Sequence, residues 1–214
     1  MKNRHLFLFG GGPPFTQKLG RIFAEMSLNG RGKVAILFLE RDGWEAYMKN
    51  YTEVLEENGI KEFVHLPLNT MSGNVITQEL AFCTGIIIGG GETECYRNYI
   101  VDTPIGNCIK ERYHQGIPVA GFSAGALISP ANCVIPPIDN SRGEHLFLKG
   151  LGLIQDCAIS VHFTKWNESE NLKGALEKLH VPIGYGIDDE AGIYFQNEMI
   201  LEEDGGVYTF MRER

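Results

Sequence analysis

Segment 121–125 reads G-F-S-A-G and directly follows the apolar run 117–120. The G-x-S-x-G spacing is typical of a nucleophile elbow, in which a strand turns sharply into a helix and exposes a serine hydroxyl. A helix beginning at Ala124 would also direct free N–H groups and its positive dipole end toward a developing oxyanion. The pattern predicts nucleophilic catalysis by Ser123. The alternative interpretation is a non-catalytic turn of small residues between a buried strand and a packed helix.

A nucleophilic serine needs a base, and the sequence favours one of the six histidines. His162 directly follows the apolar run 157–161. Functional groups in open α/β sheets gather beyond the carboxyl ends of the strands, which is where this histidine would lie. The remaining histidines start or end other predicted elements or lie in a loop: His5, His65, His114, His145 and His180. The alternative for His162 is a strand-end histidine bonded to backbone.

The acid that orients the imidazole should also follow a strand, and an acidic turn follows the apolar run 183–187. This turn contains Asp188, Asp189 and Glu190. The spacing alone does not choose among the three carboxylates. An acidic turn exposed to solvent is the alternative interpretation.

Two glycine-rich turns could bring backbone amides close to a substrate. The turn 89–93 (G-G-G-E-T) can supply an oxyanion donor beside the amide of Ala124, because glycine permits close backbone approach. Its alternative is a strand-to-helix turn with Thr93 as the N-cap. The turn 10–12 is not expected to bind a nucleotide, since no G-K-[ST] follows and Pro13 and Pro14 lack amide donors.

The elements that must position these residues alternate between buried strands and helices. Apolar runs without polar alternation, separated by segments of helical spacing, indicate a parallel sheet covered on both faces. We therefore predict one domain, 1–214, with a doubly wound, mostly parallel α/β fold. The predicted strands are 5–9, 34–39, 63–66, 85–88, 117–120, 157–161 and 183–187, and the helices are 15–28, 44–57, 76–82, 95–115 with a break at 103–104, and 168–179. Segment 129–148 is predicted to be a loop or lid, and 193–195, 199–201 and 207–210 to form antiparallel hairpins.

Composition excludes several classes of function. The chain has a net charge of −8 with scattered basic residues, so neither nucleic acid nor a membrane surface is an expected partner. The apolar run near the N-terminus is too short for a signal peptide, which favours a cytoplasmic protein. Five cysteines without a C-x-x-C pair do not indicate a disulfide framework, and no metal-ligand spacing is present.

The order of serine, histidine and acid, together with the glycine turns, resembles peptidase family S51, the group containing dipeptidase E and cyanophycinase. The matching motifs are G-G-G-x-T at 89–93, G-x-S-A-G-A at 121–126, His162-Phe163 and the G-I-x-[ED] turn at 186–189. The resemblance implies a glutamine-amidotransferase-like sheet and a serine exopeptidase without a cofactor or metal. It implies Ser123 as nucleophile, His162 as general base and acid, and Gly91 with Ala124 as oxyanion donors.

The acidic position of the family turn falls on Asp189, where the family usually has glutamate, and Glu190 is the alternative. The substrate implied is a dipeptide or short peptide, with a possible preference for an N-terminal aspartate. Arg142 and Lys165 are candidate substrate-binding residues, since an acidic substrate group would need a local cation. Gly90 is a third candidate. An esterase or amidase using the same serine, or a peptide-binding protein without catalysis, are the competing hypotheses. The chain is expected to be a monomer or homodimer.

Overall fold

The computed structural model describes residues 2–28 and 32–212. Within these ranges the chain forms twelve strands and seven α-helices. The strands are β1 His5–Phe9, β2 Lys33–Phe38, β3 Glu62–Pro67, β4 Gly85–Ile88, β5 Val119–Phe122, β6 Asn132–Ile135, β7 Leu146–Lys149, β8 Cys157–Val161, β9 Ile183–Ile187, β10 Gly192–Gln196, β11 Met199–Asp204 and β12 Val207–Met211. The helices are α1 Gln17–Leu28, α2 Trp44–Glu57, α3 Gly73–Leu80, α4 Thr93–Ile100, α5 Pro104–His114, α6 Ala124–Ile128 and α7 Ser169–Leu179.

A seven-stranded sheet has the order β11-β10-β1-β5-β4-β2-β3. The five strands from β1 to β3 in this order are parallel, and β10 and β11 extend the sheet antiparallel at one edge. The predicted mostly parallel α/β fold with C-terminal antiparallel strands is confirmed.

Helices cover both faces of this sheet, which explains why its central strands β1, β5, β4 and β2 are apolar except at their first residues His5 and Lys33. Successive side chains of a strand point to opposite faces. On β1, Phe7 and Phe9 pack into the cluster formed with α1 and α2, whereas Leu6 and Leu8 pack into the cluster formed with α3 to α6. All four side chains are at most 2% exposed. An alternating polar pattern would therefore place polar groups in one of the two cores.

The structure corrects the expected pairing of the last strand. The hairpin of β10 and β11 is present, and Asn197 and Glu198 in its turn both have positive φ, as two-residue hairpin turns require. However, β12 pairs antiparallel with β9 in a second sheet of order β12-β9-β8. Packing accounts for this choice, because Phe210 of β12 contacts Phe163 with ring centroids 5.5 Å apart.

Segment 129–148, expected as a loop, contains an antiparallel pair of short strands, β6 and β7, joined through a 3-10 turn at Pro137–Asp139. Cys133 and Ile135 of β6 are fully buried and belong to the main core. This segment, which we call the lid hairpin, is therefore anchored by apolar packing. Its tip carries the 3-10 turn toward the carboxyl ends of the strands.

Two further features of residues 2–28 and 32–212 concern the helices and the cysteines. No helix there combines the length and apolar character needed to cross a membrane. Cys83, Cys133 and Cys157 are buried free thiols, and burial raises the pKa of the Cys133 thiol to about 12.

The carboxyl ends of the two sheets meet at β1. The amide of Ser123, after β5, donates to Phe9 O at 3.0 Å, and the amide of His162, after β8, donates to Gly10 O at 3.1 Å. The backbone at the end of β1 therefore holds Ser123, which follows a strand of the first sheet, next to His162, which follows a strand of the second sheet. This junction sets the distance between the predicted nucleophile and the predicted base.

Candidate active site

Ser123 lies in a sharp turn between β5 and α6. Its backbone has φ 47° and ψ −103°, a region that residues with a side chain rarely occupy. The turn requires glycine on both sides, since a Cβ on Gly121 would lie 2.5 Å from the Gly125 carbonyl carbon. A Cβ on Gly125 would collide with the Ile88 carbonyl oxygen of β4. The local sequence therefore produces a tight elbow that projects the Ser123 hydroxyl.

The imidazole of His162 lies between Ser123 and Asp189. Its Nε2 is 3.0 Å from Ser123 Oγ, and its Nδ1 is hydrogen-bonded to Asp189 Oδ1. With the ring hydrogen on Nδ1, the ring donates to the carboxylate and accepts from the serine hydroxyl. The His162 side chain is 15% exposed, and the Trp166 ring lies against it with centroids 4.2 Å apart. The arrangement has the connectivity of a nucleophile, a base and an orienting acid.

The three acids of the turn 188–190 have different surroundings. Asp188 Oδ1 accepts from the amide and the hydroxyl of Thr164, both at 2.8 Å, and so anchors the segment after His162. Glu190 is exposed to solvent. Asp189 is the acid that contacts His162. The glycine at position 11 explains how the turn comes so close, because a Cβ on Gly11 would collide with the Asp189 backbone.

The turn after β4 carries Gly91, whose backbone amide is one of the two expected oxyanion donors. The Gly90 amide donates to Tyr51 Oη at 3.0 Å, and Tyr96 Oη donates to the Gly90 carbonyl at 3.0 Å. Both polar groups of Gly90 are thus occupied, and it contributes surface rather than a free donor to the cavity. The Gly91 amide, in contrast, has no acceptor among the described residues. The amide of Ala124, at the first position of α6, precedes the intrahelical hydrogen bonds.

Tyr51 and Tyr96 are functional candidates that sequence reasoning missed. Tyr51 comes from α2 and Tyr96 from α4, and both are at most 2% exposed. Burial raises the pKa of both hydroxyls above the ordinary tyrosine value, so they stay protonated at neutral pH. Each occupies a helix position whose spacing is that of an ordinary core residue. The sequence pattern therefore gave no signal for their contact with Gly90.

A cavity of about 560 Å3 opens at Ser123 and His162. Asp139, from the tip of the lid hairpin, lines it and accepts from Thr93 Oγ1 at 2.6 Å. Burial raises the pKa of Asp139, while the Thr93 hydrogen bond and the nearby His162 oppose that rise. Thr93 is not the N-cap of α4, since it is the first helical residue and Glu92 is the cap. The hydroxyl of Thr93 is instead directed to Asp139.

The structure places both expected substrate-binding cations away from the wall of this cavity. Arg142 is exposed and paired with Glu94 at 2.5 Å. Lys165 is exposed, its Nζ lies 3.6 Å from Asp189 Oδ2, and it does not line the cavity. Among the described residues, the lysine or arginine that lines this wall is Arg41, an exposed side chain in the turn between β2 and α2 that sequence reasoning did not select. A lone arginine in a polar turn carries no distinguishing sequence signal.

Among the described residues, no group of three or more histidine, cysteine, aspartate or glutamate side chains could hold a metal ion.

The fold and this site define an α/β protein of the hydrolase type, with a serine on an elbow and a histidine–acid pair on a second sheet. The family model of peptidase family S51 matches residues 28–202, and the chain belongs to this family. Its resemblance to the family, inferred from the motifs, is thereby confirmed.

Individual relatives agree with this assignment. A cyanophycinase from Geminocystis herdmanii is 27% identical over 127 residues, covering 58% of this chain and 47% of that protein. A cyanophycinase from Trichormus variabilis is 24% identical over 159 residues, covering 71% of this chain and 53% of that protein. The chain spans about half the length of the curated relatives it matches. The crystal structure of a peptidase from an acI-B1 Actinobacterium shares the fold, with a TM-score of 0.76, 18% identity and coverage of 99% of this chain and 95% of that one.

Proposed function

We propose that this protein is a serine exopeptidase that hydrolyses dipeptides or short peptides. The observation that carries the proposal is the hydrogen-bonded series from Ser123 through His162 to Asp189, which opens into a cavity of about 560 Å3. A volume in the range of about 300–1,000 Å3 is typical of small-molecule sites. Membership of peptidase family S51 supports the same class of reaction.

In the proposed acylation step, Ser123 Oγ attacks the carbonyl carbon of the scissile peptide bond. His162 Nε2 takes the hydroxyl proton as the C–O bond forms. The negative charge on the carbonyl oxygen is stabilised by the amides of Gly91 and Ala124. When the C–N bond breaks, His162 gives its proton to the leaving amine and an ester to Ser123 remains.

Deacylation reverses these roles with water in place of the amine. His162 takes a proton from water as the water oxygen attacks the ester carbonyl, and it then returns the proton to Ser123 Oγ. Asp189 stabilises the protonated imidazole in both steps and keeps the hydrogen on Nδ1. The products are an amine and a carboxylic acid, and no cofactor takes part.

Asp139 supports exopeptidase action over cleavage within a chain. Its carboxylate lines the same cavity as Ser123, and a carboxylate beside the nucleophile is suited to the free ammonium group at the N-terminus of a substrate. The Thr93 hydroxyl orients this carboxylate. An N-acetylated peptide would lose the interaction and leave the half-buried Asp139 carboxylate with the Thr93 hydroxyl as its remaining partner.

The test is a mass-spectrometric screen of a dipeptide library that includes α- and β-aspartyl members and N-acetylated counterparts. The wild type should cleave free dipeptides and Ser123→Ala should not. Ser72→Ala, at an exposed serine before α3, is the matched control and should retain wild-type turnover. Cleavage of short acyl esters without any peptide cleavage would assign an esterase instead. Equal cleavage by Ser123→Ala and wild type would overturn the assignment of Ser123 as the nucleophile.

A further inference from the structure

Arg41 lies beside the proposed oxyanion-binding turn. It follows β2 and lines the cavity that contains Ser123 and His162. Its Nη2 is 2.8 Å from the position that a Cβ on Gly91 would occupy. The guanidinium is thus packed against the glycine whose amide is the proposed oxyanion donor, and glycine at position 91 leaves the space that the guanidinium occupies.

This guanidinium has no acidic partner within 4.0 Å among the described residues, although the chain has 27 acidic residues and a net charge of −8. The two cations near the mouth of the site differ from it, because Arg142 is paired with Glu94 and Lys165 with Asp189. Asp42, the next residue, also lines the cavity without pairing with Arg41. Arg41 is therefore the cation that the protein leaves available to a ligand in this wall.

The rest of the wall determines which ligand group this cation suits. Trp44 and Tyr47 line the cavity as uncharged residues, while Asp42 and, from the lid hairpin, Asp139 contribute carboxylates to its wall. The cavity thus offers negative groups and a positive group to one small molecule. A short peptide with a free ammonium and a carboxylate has the matching pair of charges.

We propose that Arg41 determines substrate specificity by binding a carboxylate of the peptide, a role that rests on the proposed peptidase function. Arginine presents a planar fork of N–H donors that matches both oxygens of a carboxylate, which a lysine does not reproduce. The carboxylate has two sources, an acidic side chain of the N-terminal residue or the C-terminal carboxylate of the leaving residue. The two sources differ in which chemical change to the substrate removes the interaction.

The experiment compares kcat/KM of wild type, Arg41→Gln and Arg41→Lys on four probes: Asp-Leu, Asn-Leu, Asp-Leu amide and Asn-Leu amide. Arg41→Gln should lower kcat/KM about 10- to 100-fold on probes that carry the recognised carboxylate, and less than about twofold on probes that lack it. A loss shared by Asp-Leu and its amide assigns the side chain. A loss shared by Asp-Leu and Asn-Leu but absent from both amides assigns the C-terminus. Arg41→Lys should recover part of the activity.

Arg21→Gln, at an exposed arginine on α1, is the control and should match wild type on all probes. A uniform loss on all four probes, or no loss on any, would overturn the proposal. A selective loss in Arg142→Gln instead of Arg41→Gln would also overturn it and assign carboxylate binding to the lid hairpin.

A binding readout separates this proposal from the peptidase function. In the Ser123→Ala background, the probe with the recognised carboxylate should raise Tm, and its neutral counterpart should not. Adding Arg41→Gln should abolish that difference. If wild type cleaves none of the probes yet this Tm difference is present and depends on Arg41, the peptidase proposal fails while carboxylate binding stands. A Tm difference that persists without Arg41 refutes the role of Arg41 alone.

Discussion

The two buried tyrosines beside Gly90 lead to a specific prediction for Tyr51→Phe. The substitution removes the oxygen that accepts the Gly90 amide at 3.0 Å and leaves the ring in place. A buried donor without an acceptor costs about 1–3 kcal/mol, so the free energy of unfolding should fall by about 2 kcal/mol. The turn can relieve this cost by shifting, because Gly90 is then held by Tyr96 alone.

The expected effect on catalysis follows from that shift. Loss of a complete oxyanion donor typically lowers kcat about 100- to 1,000-fold, and a displaced Gly91 amide loses part of that effect. We therefore expect kcat to fall about 10- to 100-fold with little change in KM, since the tyrosine positions the amide that we propose binds the oxyanion of the transition state. A peptide aldehyde, which forms a hemiacetal oxyanion with serine, should bind more weakly by a similar factor.

The assay combines steady-state kinetics, aldehyde inhibition and urea unfolding for Tyr51→Phe and for Tyr113→Phe as the matched control. Tyr113 is an equally buried tyrosine on α5 whose hydroxyl has no partner among the described residues. Its replacement should leave kcat unchanged. The reasoning is refuted if Tyr51→Phe retains wild-type kcat, or if both variants lose kcat to the same extent.

Two further predictions concern the acids. Asp189→Asn should lower kcat about 10,000-fold in peptidase assays, because an amide cannot keep the histidine hydrogen on Nδ1. Glu190→Gln should keep a kcat near that of wild type. The reverse result would transfer the role of orienting acid to Glu190. Burial raises the pKa of Glu168, so the folded state holds this proton more tightly than the unfolded state, and its contribution to stability falls as pH rises above the ordinary value of 4.5. Glu168→Gln should therefore be more stable than wild type in urea unfolding at pH 7, with the difference shrinking toward pH 4. A constant difference across that range would contradict this assignment.

The sequence predicted the strands and the elbow well because both depend on local patterns. The strands β1, β4, β8 and β9 were placed with the bounds that the structure has, since each is short, mostly apolar and close to turn residues. The elbow depends on glycines within a few residues of Ser123, and the close contacts of Gly121 and Gly125 are local consequences of that motif.

The pairing of strands and the walls of the cavity were less accessible. An apolar run indicates that a strand is buried but not which strand it pairs with. The separate sheet of β8, β9 and β12 could therefore not be predicted from the pattern. The lid hairpin was missed because Pro136 and Pro137 dominate a segment with two very short strands. Arg41, Tyr51 and Tyr96 reach the site from elements that are distant in sequence, and their residue types are ordinary at those positions.

The division of the site between two sheets has a consequence for how activity reports on the fold. Ser123 follows β5 of the seven-stranded sheet, whereas His162 and Asp189 follow strands of the three-stranded sheet. The 3.0 Å contact between Ser123 and His162 therefore joins the ends of the two sheets. In the proposed mechanism, proton transfer from Ser123 to His162 thus depends on how closely the two sheets pack against each other. A perturbation that slides one sheet against the other would abolish the proposed activity while every helix and strand stayed intact. The nucleophile and its base can accordingly be altered separately, each within its own sheet.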